Sequence, residues 1–100
     1  MYKSKLDTPA LDMLFSAILR LENKEECYRF FEDLCTINEL QSLAQRLEVA
    51  KMLNENLTYH EIARKTGAST ATISRVNRCL EYGADGYRII LERLQNQSKA

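Results

Sequence analysis

Residues 57–80, LTYHEIARKTGASTATISRVNRCL, place a capping signal, a glycine and a second capping signal in a fixed order. Thr58 and Glu61 make a T-x-x-E capping box, so a helix is predicted to start near Tyr59. Ile62, Ala63 and Thr66 give that helix its inward face. Gly67 enters positive φ at low cost, as a helix C-terminus followed by a turn requires. Ser69 stands where it can cap a second helix. On that helix Ile73, Val76 and Leu80 share one stripe, whereas Thr70, Ala71, Ser74, Arg75 and Arg78 lie largely off it. Two helices crossing steeply need a small side chain where the backbones approach, a glycine in the turn, and apolar residues locking the second helix on the first. Ala63, Gly67, Ile73 and Val76 meet those needs in the order of a helix-turn-helix. A purely structural helical hairpin would share the spacing, so the exposed face has to decide. It carries short hydroxyls, alanine and two arginines, with no carboxylate before Glu81. Such side chains let a backbone approach base edges and the thymine methyl, and arginine reaches guanine or phosphate.

The rest of the chain is consistent with an all-α fold. With one proline, three glycines and no tryptophan in 100 residues, helix breakers are few. No run alternates strictly enough to predict a strand. The length suits a single domain, read as core helices over 1–56, the helix-turn-helix over 57–82 and a C-terminal helix over 83–100. A net charge of zero at first argues against a polyanionic partner. The charge is unevenly spread, however. Residues 1–56 hold seven basic and ten acidic side chains, and residues 57–100 hold seven basic and four acidic ones. Binding to a polyanion follows the local patch more than the total.

In chain order, residues 1–7 are polar and expected to be loose. Thr8 and Pro9 open a first helix, predicted to run to about Leu21. Its apolar residues Leu11, Met13, Leu14, Phe15, Ala17, Ile18, Leu19 and Leu21 cover most of the circumference, so a partner subunit is the expected cover. An exposed apolar patch serving some other protein is the alternative. A second helix is predicted from about Lys24 to Leu34, with Cys27, Phe30, Phe31 and Leu34 inward and Glu25, Glu26, Glu32 and Asp33 facing water. Thr36 and Glu39 form another capping box, opening a long helix to about Asn54 as the central spar. Gly83 and Asp85 are expected to stop one helix and cap the next, which should run from about Gly86 to Gln95 with Tyr87, Ile90, Leu91 and Leu94 on one side and a polar tail beyond.

Several kinds of chemistry find no support. The three cysteines, Cys27, Cys35 and Cys79, have no metal-site spacing and are expected to be buried free thiols. His60 is the single histidine and lacks a Cys or acidic partner at a useful spacing. It is expected at a surface or against phosphate rather than as a base. No nucleophile elbow, Walker loop or zinc-binding helix motif occurs. Neither an enzyme, a metal site nor a cofactor is expected. No secretory signal or membrane span is evident, which points to a cytoplasmic protein.

The stretch Gly67-Ala68-Ser69-Thr70-Ala71-Thr72-Ile73-Ser74-Arg75 resembles the turn and recognition helix of the Trp repressor family, and the whole chain is similar to its YerC/YecD-like branch. The resemblance runs from about residue 36 to 94 and is strongest over 57–80. The first two helices match in placement more than in residues. It implies a six-helix, all-α fold, an intertwined homodimer whose N-terminal and last helices interlock, and repression through operator binding. The docking geometry is partly known from the Trp repressor itself. By position, Thr70, Ala71, Thr72 and Ser74 are implied near bases and backbone, and Tyr59 and His60 near phosphates. With Ser69, Arg75 and Arg78 they make up the candidate DNA-contacting set. The family's two tryptophan-sandwiching arginines correspond to Arg46 and Arg75. Here Val76 replaces a glycine and Cys79 a serine, which adds volume to a flat slot and weakens a hydrogen-bond partner. Arg46, Arg75, Val76 and Cys79 therefore outline a candidate effector pocket in which tryptophan is not expected to bind tightly. Either Val76 fills the slot and no ligand is needed, or another small molecule is sensed.

The expected function is sequence-specific binding of a pseudo-palindromic, double-stranded operator by a homodimeric regulator of transcription. The alternative is an all-α protein-interaction module whose helix-turn-helix no longer binds DNA.

Overall fold

In a computed structural model describing residues 2–99, with side chains described as far as Gln97, the chain forms six α-helices. They are α1 (Pro9–Ile18), α2 (Lys24–Leu34), α3 (Ile37–Asn54), α4 (Tyr59–Thr66), α5 (Thr70–Tyr82) and α6 (Gly86–Lys99). No strand occurs among the described residues. None of the helices is long and apolar enough to cross a membrane. Met1, at the head of the segment expected to be loose, and Ala100, at the end of the expected polar tail, lie outside the described residues. The chain divides into two compact units, one through Leu40 and one from Gln41 onward.

The first unit is built on side-chain caps. The hydroxyl of Thr8 accepts the Leu11 N–H at 3.2 Å, with Pro9 in the first turn of α1. Asn23 caps α2 by accepting the Glu26 N–H at 2.9 Å, and the Glu26 carboxylate accepts the Glu22 N–H at 2.9 Å. Thr36 and Glu39 form a complete capping box: the Thr36 hydroxyl accepts from Glu39 N–H and the Glu39 carboxylate from Thr36 N–H. The Thr36 N–H first, and the Thr36 hydroxyl second, favour the ionised Glu39 carboxylate and hold its pKa below the ordinary value. α1 ends earlier than the Leu21 expected. Past Ile18 the chain tightens into i→i−3 bonds, Arg20 N–H to Ala17 and Leu21 N–H to Ile18, as commonly closes a helix. Neither α1 nor α2 contains a buried residue. Met13 is 73% and Phe15 55% exposed, and Leu11, Leu14, Ala17 and Ile18 are only half-buried, so the apolar circumference of α1 is incompletely covered in the single chain. Phe30 and Phe31 meet edge to face, with ring centroids 5.5 Å apart.

The second unit holds the core: Val49, Ala50, Ile62, Ala68, Ile73, Val76, Leu80 and Leu91, with Met52, Leu53, Leu57, Ala63 and Tyr87 packed around it. α5 packs on both α4 and α6. Only Val49 and Ala50 of α3 are buried, while Leu43, Ala44 and Leu47 are exposed, so its apolar residues outnumber those the single chain covers. The end of α3 is a Schellman motif. Leu57 N–H reaches Met52 O and Asn56 N–H reaches Leu53 O, with Asn56 in the left-handed region at φ 65°. Asparagine tolerates that conformation better than most residues.

Two expectations are corrected here. The cysteines are not buried thiols: Cys27 and Cys79 are exposed and Cys35 is half-buried, all three free. Helical position brought Cys27 and Cys79 beside apolar stripes, but the covered area is narrower than those stripes. The last helix also runs past Gln95 to Lys99, since its polar continuation contains no residue that breaks a helix.

Candidate nucleic-acid interface

The α4–turn–α5 unit begins at Thr58, whose hydroxyl accepts the Glu61 N–H at 3.2 Å. Only half of the expected box forms, because Glu61 Oε1 accepts from the Thr58 hydroxyl instead of from its backbone N–H. At the other end Gly67 adopts φ 74° and ψ 5°, and its N–H donates to Ala63 O at 2.9 Å. A Cβ there would meet nothing within 4 Å, so conformation rather than space calls for glycine. Thr66 Oγ1 donates to Ile62 O at 2.8 Å and accepts the Ala68 N–H at 3.1 Å. Ala68 turns into the core, and Ser69 caps α5 by accepting the Thr72 N–H at 3.1 Å.

α5 divides into two faces. Ile73, Val76 and Leu80 are buried. Thr70, Ala71, Ser74, Arg75 and Arg78 are exposed, and Thr72 is half-buried beneath its bond to Ser69. Among the described residues neither Arg75 nor Arg78 forms an ion pair, and no acidic residue lies in the first turn. Tyr59 and His60 are exposed in the first turn of α4. Arg64 and Lys65 add exposed positive charge in its last turn. These two were legible as basic residues but were not singled out from residue order. The surface is therefore hydroxyl-bearing and basic, held on two capped helices whose inner faces are fixed in one core.

The four residues suggested for an effector have different surroundings. Val76 is 1% exposed, a core side chain. Arg75 is exposed and Arg46 half-buried. Cys79 lines a concavity of about 430 Å³ with Leu47, Gly83, Ala84, Gly86, Tyr87 and Ile90. Burial pushes the Tyr87 hydroxyl above its ordinary pKa, nearby Cys79 adds to the rise, and Arg46 opposes it. The lining is largely apolar. Among the described residues no group of three His, Cys, Asp or Glu side chains converges as metal ligands would.

Two further side chains have structural roles that residue order did not reveal. Gln45 Nε2 donates to Thr66 O at 3.1 Å, and Arg88 Nε donates to Leu80 O at 2.8 Å. Both acceptors are backbone carbonyls, which carry no residue-type signal.

Residues 9–95 match the Trp repressor protein family. The chain is 66% identical over 91 residues to the uncharacterized protein YerC of Bacillus subtilis (strain 168), covering 91% of this chain and 88% of YerC. It is 33% identical over 79 residues to a Trp operon repressor homolog of Chlamydia caviae, covering 78% of each. Among solved structures, a TrpR-like protein from Eubacterium eligens superposes with a TM-score of 0.88 at 65% identity, over 91% of this chain and 94% of the other.

Proposed function

This chain belongs to the Trp repressor family, a family of DNA-binding regulators, and we propose that it is a sequence-specific repressor of transcription acting in the cytoplasm as a homodimer. The observation that carries the proposal is the two-faced α5: three apolar residues locked into the core, and an outer face of Thr70, Ala71, Ser74, Arg75 and Arg78 left free. In a two-fold dimer a pair of such helices enters successive major grooves, which calls for a pseudo-palindromic operator with half-sites about one helical turn apart. Thr70, Ala71, Thr72 and Ser74 then approach bases and backbone, Arg75 and Arg78 reach guanine or phosphate, and Ser69, Tyr59 and His60 lie against the phosphates. The uncovered apolar residues of α1 support the dimer, since exposed apolar surface of this kind favours association.

Val76 supports a regulator whose reading helices are set without tryptophan. Its buried side chain occupies volume that a glycine would leave open. Selection from random duplexes tests the function. A two-fold enriched motif is expected, with affinity falling steeply as salt rises because phosphate contacts release counterions. No enriched motif, or binding indifferent to salt, would remove the DNA from this account and leave the face of α5 to a protein partner.

A further inference from the structure

Gln45 is half-buried on α3, and its donation to Thr66 O spans 21 positions of sequence. Among the described residues no other side-chain hydrogen bond bridges so much of the chain; the next, from Arg88 to Leu80, spans 8. The acceptor is the last residue of α4, where helical carbonyls lack partners within the helix. Thr66 is tied again through its hydroxyl to Ile62 and Ala68, and Ala68 precedes the Ser69 cap of α5. A continuous set of bonds thus runs from α3, through the turn, to the start of the reading helix.

The apolar contacts around this path are of another kind. Val49, Ala50, Ile62 and Ala68 are apolar side chains of the buried core. Apolar burial holds helices together but is non-directional, whereas a hydrogen bond weakens steeply off its axis. We infer that Gln45 is a positioning residue for DNA reading: its amide fixes the angle at which the α4–α5 pair leaves α3, and so governs discrimination between operator and other DNA. The inference rests on the DNA-binding function proposed above. Base contacts need each side chain in register with a base edge, while attraction to phosphate is long-ranged and tolerates rocking of the helix pair.

Gln45→Met keeps the side-chain length and removes the donor. Wild type and variant are titrated against the selected operator and a scrambled duplex at one salt concentration. Thermal unfolding and amide hydrogen exchange are measured on each free protein. Operator affinity is expected to fall about tenfold, with scrambled-duplex affinity held within about twofold and Tm lowered by about 5 °C. Exchange at the Ala68 amide should quicken. Equal loss on both duplexes, or loss on neither, overturns the role in discrimination. Unchanged exchange at Ala68 overturns the anchor itself. Should Gln45→Met fail to fold, Gln45→Asn, one methylene too short to reach, is expected to show the same split, and wild-type behaviour there overturns the inference. A wild type that prefers no duplex defeats the proposed function instead, and the exchange experiment still reports on Gln45 separately.

Discussion

Arg88, in the first turn of α6, reaches back to donate its Nε–H to the carbonyl oxygen of Leu80 at 2.8 Å. That carbonyl lies near the C-terminal end of α5, where the helix dipole is negative and main-chain acceptors lack helical partners. The guanidinium therefore supplies both a hydrogen bond and a favourable charge, and ties α6 to the helix it follows. Arg88→Met leaves the acceptor unpaired in a partly shielded place and is expected to cost about 1–3 kcal/mol of stability. Denaturant unfolding at fixed protein concentration measures it, and Arg88→Lys should recover only part of the loss.

Gly67 and Gly83 stop their helices for different reasons. Gly67 sits at φ 74° with open space where a Cβ would be. Gly83 has an ordinary negative φ of −86°, but a Cβ there would collide with the Cys79 carbonyl. Gly67→Ala is expected to cost about 1–2 kcal/mol, the usual strain of an L-residue in the left-handed region. Gly83→Ala should cost more, because backbone must move. Paired melting curves check the ranking, and equal losses would contradict it.

Val76 is as deeply buried as the rest of the helix-turn-helix core. Calorimetry with tryptophan is expected to show no micromolar binding to the wild type. Val76→Ala should destabilise by about 1–3 kcal/mol through lost burial and the cavity left behind. Tight tryptophan binding by the unmodified chain would mean that Val76 does not obstruct the slot.

Arg75 and Arg78 should separate by the kind of DNA contact they make. Arg75→Ala is expected to weaken operator binding by about 1–3 kcal/mol and to relax preference at one base position if it reads guanine. An arginine held on phosphate instead lowers affinity evenly across sequences, and its removal reduces the salt slope by about one. Titrations on operator and mismatched duplexes at two salt concentrations distinguish the outcomes for each residue.

Leu19 is 84% exposed just past α1. If a second copy covers this apolar surface, Leu19→Glu should raise the dimer dissociation constant at least about tenfold, since it places a charge against apolar side chains. Sedimentation equilibrium across a concentration series reads the shift. A wild type that stays monomeric at every concentration would remove the homodimer.

Much of the local structure was legible in residue order. Caps at Thr8, Thr36, Thr58 and Ser69, the left-handed Gly67, and the buried stripe of Ile73, Val76 and Leu80 all depend on neighbours within about four positions. A helix brings those neighbours together whatever the rest of the chain does, so the sequence by itself determined where the six helices begin and which face of α5 turns outward. Tertiary structure decided the rest. It left Cys27 and Cys79 exposed and supplied Gln45 and Arg88 with acceptors on other helices. Those outcomes depend on the distance and angle between one helix and another, and a carbonyl oxygen is the same group at every position until packing brings one within reach.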